Sequence, residues 1–411
     1  MKQVDAQQKE TGTFDPAVMR QEFAFLQRGV AWLDNAATTQ RPETVLAAMD
    51  EFSRFHNANV RRSVHRLGAE ASAAYEQVRR DVAAFLRAPS PDQVVLTSGA
   101  TAAINLVVSG LARKQLAPGD AVWVSAMEHH SNGVPWAAAA TAAGAELCII
   151  PLTAGRRLDE HAFRQGLRRG NAKWVALSWV SNVLGGMNDI RTLTALAHAA
   201  GARVMVDGAQ GVAHAPVELS EWDCDFFAFS GHKMFAPMGT GALWGRPELL
   251  AEMEPVMLGG EMVTRVDEQG ATWADVPYRF EGGTPNAAGA IGLRAAIRWL
   301  EALPSAAHKH VRELVRMAQE GLAAIPGVRI WSHPDALSLV TFSLDGIHAH
   351  DVAQILDDHA VAVRAGHMCA QPVLRRLGVE AVVRASFASY NTRADVEALL
   401  AGVRAAREFF V

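Results

Sequence analysis

The chain has 411 residues, half of them hydrophobic, with a formal net charge of -4 at pH 7 and a pI of about 6.4. This length suffices for two or three domains with a large core. The weak charge and the lack of a dense Lys/Arg cluster argue against nucleic acid or an anionic membrane as the main partner. No run has the length of a membrane span or the pattern of an export signal, so we expect a cytoplasmic protein with no membrane partner.

The first residues, MKQVDAQQKETGTFD, are polar and lack an apolar segment. We predict that residues 1–30 form an N-terminal arm and a segment of a small domain. A large domain is predicted over 31–290 and a small C-terminal domain over 291–411. No internal repeat interrupts this division.

Between about residues 92 and 245, strand-like runs alternate with helical patterns. The seven runs are QVVLTSG, AVWVSAMEHH, AELCIIPL, WVALSWVSN, RVMVDGAQG, DFFAFSGHK and TGALWGR. This alternation predicts an α/β fold with a doubly wound, mostly parallel sheet of seven strands. In such sheets ligands bind beyond the carboxyl ends of the strands. The polar residues expected there are Ser98, His129, Asn182, Asp207 and Lys233.

The stretch TSGATAAINLVVSGL predicts an anion site, because a strand ends at Ser98-Gly99 and a helix begins near Thr101. Free N–H groups and the helix dipole attract an anion there. Many strand-to-helix turns have this composition, so the pattern alone is only suggestive.

Two adjacent histidines in MEHHSN raise the possibility of a metal site. Neighbouring residues of an extended chain point to opposite faces, so we expect no shared metal ion. His129 could lie flat against a cofactor ring, with His130 turned away. A structural role stays open for both.

Asp207 and Lys233 each follow an apolar strand. Asp207 is either a helix cap or an acid presented in the crevice. If the crevice holds pyridoxal phosphate, a carboxylate there would keep the ring nitrogen of that cofactor protonated. Lys233 is either a surface lysine or the amine that forms a Schiff base with the cofactor aldehyde. Burial would lower its pKa and yield the neutral nucleophile.

After EGGTPNAAGAIG we predict a helix over residues 287–302 and then a smaller α+β domain. Its strands are VRIW, SLVTFSL, VAVRAG and AVVRASF, and its helices lie near 349–359 and 392–408. Arg384, on the last of these strands, could grip a carboxylate or face solvent.

Three distant cysteines argue against a disulfide framework and a zinc site. Cys148 and Cys224 lie in apolar strands and are interpreted as small buried hydrophobes. Cys369 follows Arg364 and His367, and positive neighbours stabilise a thiolate, the form that attacks sulfur. Cys369 is therefore our candidate nucleophile.

The motifs LDNAATT, MEHHSN, SNVLGG, VDGAQG, FSGHK, GGTPN, RAGHMCAQP and RASFASYNT occur in this order from Leu33 onward. With them the chain resembles the pyridoxal-phosphate-dependent cysteine desulfurases of the fold type I, class V aminotransferase group. The CAQP and RASFASYNT motifs resemble most the SufS/CsdA-like branch.

The resemblance implies a role for each matching residue. Lys233 would bind the cofactor aldehyde, and Cys369 would take the substrate sulfur as a persulfide, leaving alanine. The remaining cofactor contacts would come from Thr101, His129, Asn182, Asp207, Gln210, Ser230, His232 and, from a second subunit of a homodimer, Thr284. The substrate, L-cysteine or a related amino acid, would be held by Asn182, Arg364 and Arg384. A SufE/CsdE-like acceptor protein would receive the sulfur.

The chain departs from the family pattern at several positions, which are Arg61, Ser63, Ala100, Ala102 and Met368. Arg61 replaces a histidine that the resemblance puts near the substrate, so it could favour a more acidic substrate. The alternatives are a selenocysteine lyase, a cysteine sulfinate desulfinase or an aminotransferase-like lyase. A silent sulfur-transfer scaffold is the non-enzymatic alternative.

Overall fold

The computed structural model describes residues 14–61 and 63–410. Most of the polar arm predicted at the start of the chain lies outside the described residues. The strands, in chain order, are β1 Ala31–Trp32, β2 Val94–Thr97, β3 Ala121–Ser125, β4 Glu146–Ile150, β5 Ala172–Ser178, β6 Arg203–Asp207, β7 Phe226–Ser230, β8 Gly241–Gly245, β9 Val263–Asp267, β10 Gly270–Trp273, β11 Val328–Ile330, β12 Leu339–Leu344, β13 Val361–Ala362, β14 Arg364–Gly366 and β15 Val382–Ser386.

The α-helices connect and cover these strands. In chain order they are α1 Pro16–Arg20, α2 Glu43–Glu51, α3 Arg66–Phe85, α4 Ala100–Val107, α5 Arg113–Gln115, α6 His130–Ala143, α7 Glu160–Leu167, α8 Ile190–Ala199, α9 Leu219–Trp222, α10 Pro247–Glu252, α11 Ala287–Glu301, α12 Ser305–Ala323, α13 Ala349–Asp358, α14 Gln371–Leu377 and α15 Arg393–Phe410. Short 3-10 turns lie at Ala24–Arg28, Pro91–Gln93, Gly231–Lys233 and Tyr278–Phe280, and wider π turns at Phe52–His56 and Val108–Ala112.

The large sheet has seven strands in the order β2-β8-β7-β6-β5-β3-β4. All neighbours from β7 to β4 are parallel, whereas β8 runs antiparallel to both β7 and β2. Every residue of β3, β7 and β8 is buried. The predicted α/β fold with a mostly parallel seven-stranded sheet is confirmed, and its central strands are mostly apolar and buried because helices cover both faces.

Side chains along each strand alternate between two apolar cores. Val94 and Val175 belong to one buried cluster, while their neighbours Val95 and Trp174 belong to another. This alternation follows from the two-residue period of a strand, which sends successive side chains to opposite faces. The sheet is thereby fixed from both sides, and the residues that follow its strands start from rigid positions.

The C-terminal region forms a separate antiparallel sheet of four strands in the order β11-β12-β15-β14. A third apolar cluster packs it against α12, α13 and α15. Ala31 of β1 pairs in parallel with Val361 of β13, so the chain contacts this region before it enters the large sheet. The predicted α+β texture is confirmed, while the domain boundaries at 30/31 and 290/291 stay predictions. Within the described residues, no helix combines the length and apolarity needed to span a bilayer.

Candidate active site

A cavity of about 620 Å³ lies between the carboxyl ends of the central strands and the C-terminal region. The structure brings most of the predicted site residues to its wall. These are Thr101, His129, Asn182, Asp207, Gln210, Ser230, His232, Lys233, Arg364, Cys369 and Arg384. They come from separate segments because parallel strands deliver their carboxyl ends to one edge of the sheet.

Asp207 and Lys233 form an electrostatic pair in this cavity. Asp207 is the last residue of β6 and is buried, and its Oδ1 accepts a hydrogen bond of 2.9 Å from the amide of Ala209. Burial raises the pKa of the Asp207 carboxyl, while Lys233 acts in the opposite direction. Burial lowers the pKa of the Lys233 amine to about 8, although Asp207 favours its charged form. The amine is therefore partly neutral near physiological pH, as a nucleophile must be.

The turn that carries Lys233 is held by the threonines of the LDNAATT motif. The carbonyl oxygen of His232 accepts hydrogen bonds from the Thr39 amide at 3.0 Å and from the Thr38 hydroxyl at 3.1 Å. The Thr39 hydroxyl in turn accepts a 2.7 Å hydrogen bond from the amide of Phe235. These contacts hold the main chain just before Lys233, at His232, and just after it, at Phe235, and so fix the position of Lys233.

The start of α4 offers a place for an anion. The Ala100 amide donates a 2.8 Å hydrogen bond to the Ser230 hydroxyl. Gly99 has a φ of +144°, and a Cβ there would lie 3.1 Å from the Ser230 Oγ, so this position favours glycine. His232 has a buried Nδ1 with no partner, and burial lowers its pKa to about 4. Hydroxyls, amides and a neutral imidazole thus face one end of the cavity.

His129 caps the N-terminus of α6. Its Nδ1 accepts a hydrogen bond of 3.1 Å from the amide of Ser131. Burial first, and then the charge of Lys233, lower its pKa to about 4. The imidazole is therefore neutral at pH 7, with its proton on Nε2. Its predicted stacking on a cofactor ring stays a prediction.

Two amide side chains link the cavity wall to neighbouring segments. Gln210 donates a 2.8 Å hydrogen bond to the carbonyl oxygen of Ala36. Asn182 donates a 2.7 Å hydrogen bond to the carbonyl oxygen of Met368, and its Oδ1 is buried without a partner. The free acceptor on Asn182 suits a ligand that brings a donor.

Asp34 lies between the two arginines of the site. Arg364 donates to both carboxylate oxygens, from Nε at 3.1 Å and from Nη2 at 2.9 Å. Arg384 is buried and approaches Asp34 at 3.4 Å, while its Nη1 donates to the Asn182 carbonyl oxygen at 2.9 Å. Burial lowers the pKa of Arg384 to about 10, and its Nε is buried without a partner. One carboxylate facing two guanidinium groups leaves positive charge for an anionic substrate.

Cys369 lies on an exposed loop of the opposite wall. Its carbonyl oxygen accepts a 2.7 Å hydrogen bond from the amide of His130, and its amide donates to His367 Nδ1 at 3.2 Å. Met368 and Cys369 have φ values of +52° and +51°, a conformation that L-residues rarely adopt. The loop is thereby shaped to present an exposed thiol.

Cys148 and Cys224 are buried in the sheet region, as predicted. Burial raises the pKa of the Cys148 thiol to about 11, and it raises that of the Cys224 thiol as well. Neither thiol is suited to nucleophilic attack. Within residues 14–61 and 63–410, no group of three or more His, Cys, Asp or Glu side chains is arranged to hold a metal ion.

Some predicted positions lie elsewhere. Ser98 lines a neighbouring cavity of about 390 Å³ instead of the main one. Thr284 is exposed and does not line the main cavity of its own chain. Arg61 forms an ion pair with the buried carboxylate of Glu281, which also accepts a 2.6 Å hydrogen bond from Arg79. The charge of Arg61 is thus neutralised outside the main cavity of this chain.

The sequence reasoning assigned no role to several residues that build the site. They are Asp34, Thr38, Thr39, Glu128 and Ser131. Glu128 is buried and accepts hydrogen bonds from the Ser178 amide at 2.6 Å and from Asn132 at 2.7 Å, and burial raises its pKa to about 7. All five residues stand inside the LDNAATT and MEHHSN motifs, so the signal was present, but a motif does not reveal contacts.

The residues present fit pyridoxal phosphate. An anion site at a helix start, a buried acid on a neighbouring strand and a depressed lysine pKa match its phosphate, ring nitrogen and aldehyde. Orphaned buried atoms on His232, Asn182 and Arg384 supply unused donors and acceptors around the same cavity. Fold and site together define a fold type I pyridoxal-phosphate enzyme.

A family model described as aminotransferase class V matches residues 31–399. A probable cysteine desulfurase of Halalkalibacterium halodurans is 43% identical over 382 residues, which cover 93% of this chain and 94% of the relative. Cysteine desulfurase CsdA of Escherichia coli is 42% identical over 399 residues, covering 97% and 99%.

Solved structures give the same result. The crystal structure of the Escherichia coli cysteine desulfurase CsdA (S-sulfonic acid) has a TM-score of 0.91 and 42% identity, covering 97% of this chain and all of that one. The apo structure of a cysteine desulfurase from Thermococcus onnurineus NA1 has a TM-score of 0.92 and 36% identity, with 97% and 99% coverage. This chain belongs to the cysteine desulfurases of the class V aminotransferase family. The family is pyridoxal-phosphate-dependent, so the resemblance and the expected cofactor are confirmed.

Proposed function

We propose that this chain converts L-cysteine to L-alanine with pyridoxal phosphate as cofactor and carries the released sulfur as a persulfide on Cys369. One observation carries the proposal. The exposed thiol of Cys369 and the amine of Lys233 line the same cavity, and the cysteine lies close enough to influence the pKa of that amine. A nucleophile for sulfur and a nucleophile for an aldehyde thus share one space.

Pyridoxal phosphate, when bound, supplies an electron-withdrawing ring that stabilises negative charge at the α-carbon of an attached amino acid. Lys233 would be the amine that attaches to the cofactor aldehyde. Asp207 holds the ring nitrogen in its protonated form, since the buried carboxylate needs a cation beside it. The Lys233 amine would also remove the proton from the substrate α-carbon.

The substrate carboxylate is assigned to Arg384 and Arg364. Arg384 is fixed by the Asn182 carbonyl oxygen and retains a buried, unpartnered Nε. Arg364 is exposed and is shared with Asp34. The buried guanidinium therefore orients the substrate, and the exposed one adds attraction at the entrance.

The sulfur step transfers the substrate sulfur to Cys369. The Cys369 thiolate donates an electron pair to the substrate sulfur, so that an S–S bond forms and the Cβ–S bond breaks. The electron pair of the broken bond stays with the substrate β-carbon, which takes up a proton to become the methyl group of alanine. The persulfide keeps the second hydrogen, so no external oxidant or reductant is required. We assign this proton to Lys233 or to the neutral His129, with its proton on Nε2, because both face the cavity.

We further propose a homodimer in which Thr284 contacts the cofactor phosphate of the second subunit. Thr284 is exposed and follows Gly282 and Gly283, which leaves its side chain free for such a contact. A SufE/CsdE-like acceptor protein would take the sulfur from exposed Cys369 in the cytoplasm, and iron–sulfur cluster assembly would use it.

The decisive experiment supplies purified protein with L-cysteine and measures alanine and protein-bound persulfide. We expect equal amounts of both in a single turnover, and neither from Cys369→Ala. Selenocysteine and cysteine sulfinate are supplied in parallel, because alanine formation from either that survives Cys369→Ala would favour a lyase or desulfinase instead. If an amino group passes to an oxo acid and no alanine forms, the desulfurase proposal is wrong. A protein with no cofactor absorbance would be a scaffold.

A further inference from the structure

A pair of hydroxyl groups joins the two helices that begin at the cavity. Thr101 lies in the first turn of α4, and Ser131 lies in the first turn of α6. Their Oγ1 and Oγ atoms are 2.7 Å apart, and both residues line the main cavity beside Ser230 and His232. Two helix N-termini therefore face the same end of the cavity, and both favour negative charge there.

The hydroxyl pair of Thr101 and Ser131 has one hydrogen that the bond between the two groups does not use. One hydroxyl donates to the other, and the hydrogen of the accepting hydroxyl remains available. Ser131 Oγ also lies 3.1 Å from His129 Nδ1, but the single in-plane lone pair of that nitrogen already receives the Ser131 amide. The spare hydroxyl hydrogen is thus free for an anion that enters the cavity.

Position 100, at the start of α4, contributes no side-chain hydroxyl to the cavity. Ala100 has no polar side chain, and its amide is occupied by the Ser230 hydroxyl at 2.8 Å. The first turn of α4 therefore contributes one hydroxyl, that of Thr101. Ser131 doubles the number of hydroxyl donors from these two helix starts.

We propose that Ser131 is a phosphate-binding residue of the cofactor site and acts together with Thr101. The proposal rests on pyridoxal phosphate being the cofactor. When a phosphate dianion enters, the two hydroxyls exchange their mutual hydrogen bond for one bond each to the dianion, and bonds of this charge-assisted kind are about twice as strong as neutral ones. Ser131 thereby connects the phosphate end of the site with His129, through its own main-chain amide.

The test compares pyridoxal phosphate with pyridoxal, which lacks the phosphate, in binding to the cofactor-free full chain. Ser131→Ala removes the hydroxyl but keeps the amide that holds His129. We expect its dissociation constant for pyridoxal phosphate to rise about tenfold, which is the loss of one hydrogen bond to a charged group. Its dissociation constant for pyridoxal should stay within about twofold of wild type.

Two further variants complete the design. Ser131→Thr keeps the hydroxyl and should restore phosphate-selective binding. Ser53→Ala removes an exposed hydroxyl that bonds to the Met49 carbonyl oxygen and should leave both constants unchanged.

Equal weakening of both ligands by Ser131→Ala would overturn the proposal, because the hydroxyl would then act on the fold or on His129. Unchanged binding of both would overturn it as well. Alanine release by the wild type is measured separately, so a failure of the desulfurase function is distinguishable from a failure of this assignment.

Discussion

The two walls of the cavity are built on opposite principles. On the sheet side, Asp207 directly ends a buried strand and Lys233 follows one, and burial shifts the pKa of both groups. On the C-terminal side, Cys369 is exposed on a loop whose shape is set by left-handed backbone. The groups proposed to tune the cofactor need a fixed, water-poor setting, whereas the group proposed to export sulfur must reach solvent.

We call the sheet side the fixed wall and the C-terminal side the exposed wall. Hydrogen bonds nevertheless connect the exposed wall to the fixed one. His130 at the start of α6 donates to the Cys369 carbonyl oxygen, and Asn182 donates to the Met368 carbonyl oxygen. Both contacts hold the main chain and leave the thiol free. The loop is therefore exposed without being loosely attached.

The largest effect is expected on the fixed wall. Lys233→Ala removes the amine proposed to attach the cofactor and to move protons, so alanine formation should fall by about 1,000-fold or more. The cofactor absorbance that disappears on borohydride reduction should be lost with it. Lys173→Ala removes an exposed lysine of β5 and should change neither quantity. Full retention of borohydride-sensitive absorbance in Lys233→Ala would show that another amine holds the cofactor.

The matching test of the exposed wall is Cys369→Ala. Sulfur release from cysteine should fall by about 100-fold or more, because no other thiol is presented to the cavity by the described residues. Cofactor absorbance should persist, which separates the two walls. Cys148→Ala alters a buried thiol and should keep both activity and persulfide. A persulfide found by mass spectrometry on another cysteine would contradict this assignment.

Asp207→Asn removes the negative charge beside the predicted ring nitrogen. We expect kcat to fall by about 100-fold, since a change of two pKa units at that nitrogen corresponds to such a factor. The cofactor should still attach through Lys233, with an altered absorbance spectrum. Asp189→Asn is a suitable control, because an asparagine can keep the helix-capping contact to Thr192. A wild-type kcat in Asp207→Asn would rule out the charge as the relevant feature.

The depressed pKa of Lys233 predicts a pH profile for cofactor attachment. Only the neutral amine reacts, so the rate at which cofactor-free protein binds pyridoxal phosphate should rise about tenfold per pH unit below pH 8. It should level off above pH 8, because the amine is then mostly deprotonated. Stopped-flow absorbance measures this rate. A rate that keeps rising to pH 10 would indicate an ordinary exposed amine.

The smallest effect on catalysis is expected at Arg61, which belongs to neither wall. Arg61→His should leave the KM for cysteine within about twofold of wild type, because the Glu281 carboxylate neutralises the arginine outside the main cavity of its own chain. The midpoint of thermal unfolding should fall by about 2–4 °C as that ion pair is lost. Arg66→His, at an exposed pair with Glu70, should change neither value. A large rise in KM would place Arg61 at a substrate site in the assembly.

Much of the fold was predictable because the sheet is covered on both faces. The runs VMV of β6 and FFAF of β7 are apolar, and their carboxyl ends are marked by Asp207 and Ser230. Strand order was not predictable, since the antiparallel position of β8 between β2 and β7 depends on long-range pairing. The helix predicted over 287–302 ends at Glu301, within the usual uncertainty of helix ends.

The site was predictable where a side chain stands at a strand end and unpredictable where it depends on a partner. Lys233 and Asp207 follow directly from strand patterns. Asp34 gains its place from Arg364, which is 330 positions away in sequence. Arg61 lies in a left-handed conformation with a φ of +65°, and its pairing with Glu281 has no local sequence signal. Contacts between residues so distant in sequence can be recognised only in the tertiary structure.

Met368, directly before Cys369, has a side chain and a carbonyl oxygen with separate contacts. Its side chain is buried in the main apolar cluster, while only its carbonyl oxygen serves the site through Asn182. A departure from the family pattern that would look damaging beside a nucleophile therefore works as a hydrophobic anchor. The proposed sulfur carrier is thus anchored by the buried side chain of its neighbour while its own thiol faces solvent, so anchoring and exposure fall to two consecutive residues.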